Sequence, residues 1–437
     1  MTFSNITIPD NWKVIKLGGT SQSKIGYDKL IDILKNDTNN YYIIVLSAVS
    51  TITNLLEKYV KTLEKKYLLE VKEKNINLTK DLDLDMDNII TDMLDLELIL
   101  NSDENMYSSS KIIGTGECIS TRIFYEYIQK CLPSEKIQLL SSYDFIRSKK
   151  ESFKIYQSVE FEGSLNMFTE KYNNSRIVIC QGFIASTPSN KTILLGRGGS
   201  DTTGSLVANM VTAKEYQVWT DVDGIYYVDP RIIKESKNVK EISYELALEI
   251  SSMGAKIMHP YSILPCAIKN IPIIVRNTFN LDGSSTVIQN AKLIDEKNNI
   301  FFAVQKNITL FKIVSMNMWN AYGFSADIFR IFERIGIDVN IITTSQFSIY
   351  TTTDEKNNLK IKQALSELSE LYTTEIISDR EIVSIISPDI KNYMNKIDYT
   401  KINYDIIHFG SNNITINFVS DKNNSNDLIK MLYNTFY

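Results

Sequence analysis

The chain has 437 residues, 43% of them hydrophobic and 23% charged, with a formal net charge of −5. That length supports two or three domains with real cores, and so mild an acidity gives no electrostatic footprint for nucleic acid or an anionic membrane. Four cysteines (Cys118, Cys131, Cys180, Cys266) without CxxC spacing, and two histidines in all, argue against a zinc site. Scattered cysteines fit a reducing compartment. No apolar run approaches the ~18 residues needed to span a bilayer. The opening stretch MTFSNITIPDNWKV lacks a signal-peptide core and the look of a transit peptide, so a cytoplasmic location is expected.

In chain order, WKVIKL is the first expected strand, with Lys16 near its end and Gly18, Gly19, Thr20 and Ser21 beyond. A lysine beside a glycine loop at a strand end suits neutralisation of a transferring phosphoryl group, although a surface lysine next to a turn is a common alternative. YDKLIDILKN has helical spacing, and YYIIVLSA is a second strand. From about Asn54 to Ser110 the chain is charged and helical. Inside that stretch, Asp81, Asp83, Asp85 and Asp87 invite a calcium loop, but Met86 and Asp92 stand where such a loop needs Gly and Glu. A solvated acidic segment is expected there.

RIVICQGFIA is the next strong strand. TILLGRGGSDTTGSLVANM then reads as a strand end, a glycine turn around Arg197 and Asp201, and a helix start. It matches neither GxxxxGK[ST] nor GxGxxG, which Asp201 breaks at the last place. Its glycines still allow close backbone approach to a ligand, and helix-start amides favour an anion. The plainer alternative is a tight turn capped by Ser200 or Asp201. In WTDVDGIYYVDPRI, Thr220 and Asp221 end a strand, Gly224 turns, Tyr226 could stack a base, and Asp229-Pro230-Arg231 makes a rigid turn. GAKIMHP places Lys256 near a helix C-terminus. The alternation of short β-rich runs with helical stretches predicts an α/β domain with a largely parallel sheet, binding ligands at the carboxyl ends of its strands. After about Lys292, two βαβ-like units suggest a duplicated regulatory region.

KLGGTS, GRGGSDTT, TDVDGIYYVDPR and GAKIMHP, in this order, closely resemble the signatures of aspartate kinases, of the amino-acid kinase family. The C-terminal SMNMWNAYGFSADIFRIFERIGIDVNIITTS resembles that family's first ACT domain, and the whole is most similar to the monofunctional, lysine-sensitive type. The resemblance implies a carbamate-kinase-like, three-layer αβα catalytic domain over about 1–295, with the helical insertion near 54–110. Two α+β ACT domains would follow over about 296–437, the first about 313–380 and the second about 300–312 plus 381–437. It also implies ATP-dependent phosphorylation of the L-aspartate side chain, with Mg2+ carried by ATP and no protein-only metal site.

Residue by residue, the resemblance assigns Arg197 to the aspartate α-carboxylate, which a planar guanidinium meets with two parallel hydrogen bonds. Glu117, from GTGECIST, would meet the aspartate ammonium. Ser47, Ala48 and Thr53, from VLSAVSTITN, and Ser200 would complete the substrate loops, with Phe183 walling the pocket. Lys16 would stabilise the transferring phosphoryl group and Asp201 would orient that lysine. Gly18, Gly19, Thr220, Asp221, Tyr226, Arg231 and Lys256 would contact ATP. Ser315, Asp338, Val339, Asn340 and Thr344 match an effector site for an amino acid, formed between subunits, which implies a homodimer through the ACT domains or a larger homo-oligomer. Relatives commonly carry aspartate where this chain has Asn340, which weakens the expected hold on a lysine ammonium. Asp338 would share a face with Asn340 if the segment were a strand. Three further departures are Leu17 and Gln22 in place of an aromatic residue and a valine, and Thr51 in place of a glycine often found before ITN. The alternatives are a same-fold kinase for another acidic amino acid, which the arginine in GRGGSD disfavours, and a non-catalytic ACT-domain sensor, which has no need of Lys16, Arg197, Asp201 and Lys256 together.

Overall fold

A computed structural model of the chain describes residues 9–95, 105–151, 155–156, 160–254, 258–316, 322–410 and 413–437. It divides into two compact units. The first comprises Met1–Ile225, Asn238–Leu248 and Ile257–Asp295; the second comprises Tyr226–Lys237, Glu249–Lys256 and Glu296–Tyr437.

The first unit is built on strands β1 (Trp12–Leu17), β2 (Tyr41–Leu46), β3 (Ile137–Leu139), β4 (Ile146–Ser148), β5 (Phe161–Gly163) and β6 (Ile177–Gln181). It continues with β7 (Ile184–Ser186), β8 (Thr192–Leu194), β9 (Glu215–Thr220), β10 (Glu241–Ser243), β11 (Ile273–Asn277) and β12 (Ser285–Gln289). Eight of them form one sheet in the order β10-β12-β11-β9-β1-β2-β6-β3, parallel except where β11 meets β12. This is the expected parallel α/β core. Central strands read as continuous apolar runs because both faces are covered. Ile15, Leu17, Ile44, Leu46, Ile177 and Ile179 point into one core cluster, while the alternating Val14, Ile43, Val45, Val178 and Cys180 are equally buried outside it. A second, four-stranded sheet (β5-β4-β7-β8) was not expected from the sequence.

The helices of this unit are α1 (Lys24–Asn36), α2 (Ile52–Thr62), α3 (Lys65–Asp81), α4 (Asp87–Met93), α5 (Asn105–Cys131), α6 (Leu165–Lys171), α7 (Gly199–Val211), α8 (Tyr244–Ser252), which runs on into the second unit, and α9 (Leu264–Ile268). The first core cluster gathers α1, α2, α3 and α5, so the charged insertion is a helical layer and not a linker. In its acidic turn, Asp83 stands exposed and pairs with Lys130 at 2.8 Å.

The second unit carries β13 (Phe301–Val314), α10 (Phe324–Ile335), β14 (Ile342–Thr344), β15 (Ser348–Thr353), α11 (Asn358–Leu371), β16 (Thr373–Ile386), α12 (Ile390–Tyr393), β17 (Ile406–Phe409), β18 (Thr415–Asp421) and α13 (Ser425–Phe436). Its six strands form one antiparallel sheet, ordered β14-β15-β13-β16-β18-β17. The long strands β13 and β16 run through both halves, and their register shifts between Gln305 and Leu310. One half packs Phe311, Ile313, Ile328, Phe332 and Leu368; the other packs Phe302, Ile385, Phe418, Ile429 and Leu432. Among the described residues no helix is long and apolar enough to cross a membrane.

Candidate active site

The carboxyl ends of β1, β2, β6 and β9 present their loops together, as the parallel sheet requires. Lys16, next to last in β1, is 8% exposed, and its Nζ lies 2.6 Å from Asp201 Oδ1. The glycine pair beyond β1 is held to its neighbours by backbone bonds. Gly18 N donates to Trp219 O at 3.0 Å, and Ser50 N donates to Gly19 O at 3.1 Å. A Cβ on Gly19 would lie 2.8 Å from Ala48 O, so only glycine lets these two loops meet. Ser21 Oγ bridges Trp219 O (3.2 Å) and Thr278 Oγ1 (2.6 Å).

The GRGGSD turn departs from one expectation. Helix α7 begins at Gly199, and its N-cap is Gly198 in the left-handed region (φ +66°), so Ser200 and Asp201 lie in the first turn instead of capping it. The reason is steric: the turn passes so close to His259 that a Cβ on Gly198 would lie 2.6 Å from His259 Cβ. Asp201 is fixed from behind, because Tyr216 OH donates to its carbonyl at 2.9 Å. Arg197 stands exposed at the tip. Burial, and then the Arg197 charge, hold the His259 imidazole below its usual range, with Asp201 opposing. Ser200 sits against Gly182, where a Cβ would lie 2.6 Å from Ser200 Cβ.

Glu117, on α5, is 3% exposed. Burial pushes its carboxyl up to about 8, opposed by hydrogen bonds from backbone amides, including that of Ala48, from the Thr53 hydroxyl, and by the charge of Lys16. Its Oε2 is buried without a hydrogen-bond partner. A neighbouring bond, from Ser120 Oγ to Ser47 O (2.7 Å), ties α5 to the loop after β2. Phe183, at φ +69°, donates its N–H to Thr203 Oγ1 at 3.0 Å and presses on Gly199, where a Cβ would lie 2.4 Å from Phe183 Cδ2. Lys16, Ser47, Ala48, Thr53, Phe183, Arg197, Ser200 and Asp201 thus belong to one set of strand-end loops and helix starts, which Glu117 joins from the middle of α5.

The remaining expectations are placed less uniformly. Thr220 ends β9 and its hydroxyl donates to Oδ1 of the following Asp221 at 3.2 Å. Tyr226 and Arg231 fall in the second unit; Arg231 is exposed and paired with Asp229 at 2.6 Å. Lys256 lies outside the described residues. In the second unit, Asp338, Asn340 and Thr344 are exposed, Val339 packs on the α10 core, and Ser315 N donates to Phe347 O at 3.0 Å. Asp338 and Asn340 lie outside any strand, because β14 starts at Ile342, so the shared strand face that would let Asp338 compensate for Asn340 does not form. Sequence reasoning missed the supporting polar residues Tyr216, Thr203 and Thr278. Thr203 lies within GRGGSDTT itself, while Tyr216 and Thr278 lie further along the chain, each with only a hydroxyl as a signal.

Residues 11–277 match the amino acid kinase family. The lysine-sensitive aspartokinase 3 of Escherichia coli is 30% identical over 397 residues, covering 86% of this chain and 87% of that protein. The chloroplastic aspartokinase 1 of Arabidopsis thaliana is 27% identical over 459 residues, covering 97% of this chain and 80% of that protein. The fold is similar to that of E. coli aspartokinase III in complex with aspartate and ADP (TM-score 0.82, 27% identity, 97% of this chain and 99% of that one). The same enzyme in complex with lysine and aspartate gives a TM-score of 0.76 at 26% identity, over 98% of this chain and 100% of that one.

Proposed function

The chain belongs to the amino acid kinase family and, within it, to the aspartokinases, and from that premise we infer how its own residues carry out the transfer. It phosphorylates the side-chain carboxylate of L-aspartate with ATP, giving 4-phospho-L-aspartate, the first step toward lysine, threonine and methionine. A carboxylate oxygen attacks the γ-phosphorus, the bond to the bridging oxygen breaks, and ADP leaves. The nucleophile is already ionised at neutral pH, so alignment and charge neutralisation are the whole task.

The observation that carries this assignment is Glu117, a buried carboxylate with one oxygen unpartnered and its pKa raised. A carboxyl group of that kind awaits a cation, and the aspartate α-ammonium supplies one. Arg197 takes the α-carboxylate; Ser47, Ala48, Thr53 and Ser200 line the loops around it, and Phe183 closes one side. Asp201, 2.6 Å from the Lys16 ammonium, holds it in place for the arriving phosphates. Gly18, Gly19, Thr220 and Asp221 serve the nucleotide. Mg2+ accompanies the triphosphate and spreads its charge; among the described residues no three acidic, His or Cys side chains cluster to hold it separately.

An amino acid acts as effector at Ser315, Asp338, Val339, Asn340 and Thr344. A second copy of the chain completes this site in a homodimer, a reading supported by Thr344 ending β14, an edge strand with one side open to a partner. Asn340 lacks the carboxylate that would hold a lysine ammonium, which makes inhibition by lysine weak. The enzyme works in the cytoplasm. A coupled ADP-release assay with aspartate, with glutamate and with neither tests the substrate. ADP release with aspartate, and an acyl phosphate trapped by hydroxylamine, are expected; equal turnover of glutamate would sink the assignment.

A further inference from the structure

One residue beside the pocket has no role in the reading above. Tyr156 forms a parallel bridge with Leu194, the last residue of β8, and Leu194 N donates to Ile155 O at 3.1 Å. Its backbone is therefore fixed to the strand that leads into the Arg197 turn. Its ring centroid lies 6.1 Å from that of Phe183, at an interplanar angle of 36°. Its phenol donates to the carboxylate of Glu57. Burial first, then this bond, then the charges of Glu57 and Glu117 push the phenol well above its usual range. Tyr156 thus senses the same carboxylate that we assign to the substrate ammonium.

The tether has a direction. Glu57 follows Thr53 by four residues on α2, so both project from one helix face. Thr53 reaches Glu117 while Glu57 reaches Tyr156. One helix face therefore holds both the floor of the pocket and an aromatic at its edge. Tyr156 is 36% exposed, as a side chain at a rim must be, with its ring tilted against that of Phe183. A free tyrosine at a rim samples several rotamers; a carboxylate acceptor on a packed helix selects one.

We propose that Tyr156, held by Glu57, is a specificity-determining wall of the amino-acid pocket, setting the length of side chain that fits beneath it. This inference rests on the aspartate pocket proposed above. Together Phe183 and Tyr156 form an apolar corner whose position is fixed by the Glu57 bond. A substrate longer by one methylene must displace the tethered ring, and a single methylene in such a pocket is worth about 10- to 200-fold in discrimination.

The test measures aspartate KM, ATP KM and the ratio of kcat/KM for L-aspartate over L-glutamate in wild type, Tyr156→Ala, Tyr156→Phe, Glu57→Ala and Glu57→Gln. Tyr156→Ala is expected to raise aspartate KM and lower the aspartate-to-glutamate ratio by about tenfold or more, with ATP KM unchanged. Tyr156→Phe and Glu57→Ala should give a smaller change of the same kind, and Glu57→Gln, which keeps an acceptor, should restore wild-type selectivity. If Tyr156→Ala does not fold, the other three variants decide. An unchanged ratio in Tyr156→Phe and Glu57→Ala, or an equal rise in both KM values, overturns the proposal. A wild type silent with aspartate defeats the substrate assignment itself, a different failure.

Discussion

The strand-end loops of the first unit and the segment around β14 in the second hold their candidate ligand residues in opposite ways. In the first, Lys16 and Glu117 are almost fully buried and already engaged with Asp201, Ala48 and Thr53. In the second, Asp338, Asn340 and Thr344 are exposed; Asn340 is fixed through its backbone, its N–H donating to Thr352 O at 2.8 Å. A buried, paired charge needs no further surface to be positioned. An exposed side chain on a fixed backbone is positioned only when something covers it. The candidate catalytic residues are therefore preorganised in one unit, while the proposed effector residues of the other wait for a surface to cover them.

The sharpest way to break the contrast is at Lys16. Lys16→Ala should lower kcat by about 3–4 kcal/mol, some hundred- to thousandfold, with smaller effects on either KM, because the charge it meets develops during transfer. Stopped or steady-state ADP release measures this, and near-normal kcat would show that the buried pair is architectural. Arg197→Ala comes next. Loss of one member of a charge pair desolvated on binding should weaken aspartate by about 2–5 kcal/mol and leave ATP nearly unchanged. An aspartate KM close to wild type would make Arg197 a turn residue.

Glu117 sharpens the comparison through pH. Its carboxyl is raised from 4.5 to about 8 in the unliganded fold. Between those values the folded state carries a proton that the unfolded chain has released. Its contribution to stability is therefore fully present below the window and is lost as pH rises through it. Aspartate binding needs the ionised form, so aspartate KM should fall over the same rise in pH. Thermal melts and aspartate titrations across the window should both lose their slope in Glu117→Gln; a slope that survives would assign it to another group.

Thr51 tests how far preorganisation extends. It caps α2 at φ +74° and ψ −14°, where a residue with a Cβ is strained. Thr51→Gly relieves that strain but adds chain entropy in the unfolded state, leaving about 0.5–1 kcal/mol of net stabilisation, visible as a raised melting temperature. A lowered melting temperature would mean the hydroxyl does more than tolerate the turn. The smallest expected effect lies in the second unit. Asn340→Asp should tighten lysine inhibition by about 1 kcal/mol, roughly fivefold, the gap between a neutral and a charge-assisted bond. Tight lysine inhibition of the wild type, unchanged by the substitution, would remove Asn340 from the effector site.

Much of this architecture was legible in the chain. Central strands such as Tyr41–Leu46 and Ile177–Gln181 are apolar on both faces and announce a buried parallel sheet. The glycine turns at Gly18–Gly19 and Gly196–Gly199 announce the loops, because the neighbours of Gly19, Gly198 and Gly199 leave no room for a Cβ. The four-stranded sheet was illegible as a sheet: its strands have three residues each, too few for a period to show, and RIVICQGFIA reads as one strand although it divides into β6 and β7 of different sheets. Tyr156 was invisible for a similar reason, being one bridge residue whose partners, Glu57 and Phe183, are chosen by packing. Nor does any composition change mark Tyr226, where the chain passes from the first unit to the second.

Gln22 carries a consequence for how this chain can vary. Its side-chain amide donates to Leu17 O at 3.2 Å, and its carbonyl accepts from Tyr27 OH at 2.6 Å. Tyr27 is wholly enclosed, so its hydroxyl has no water to turn to. A valine at position 22 would strand that hydroxyl unless position 27 lost it in the same lineage. The two sites are consequently bound to a common history: position 22 can lose its polar side chain only by way of a phenylalanine at 27, and a chain that still has tyrosine there should be found with a hydrogen-bonding residue at 22.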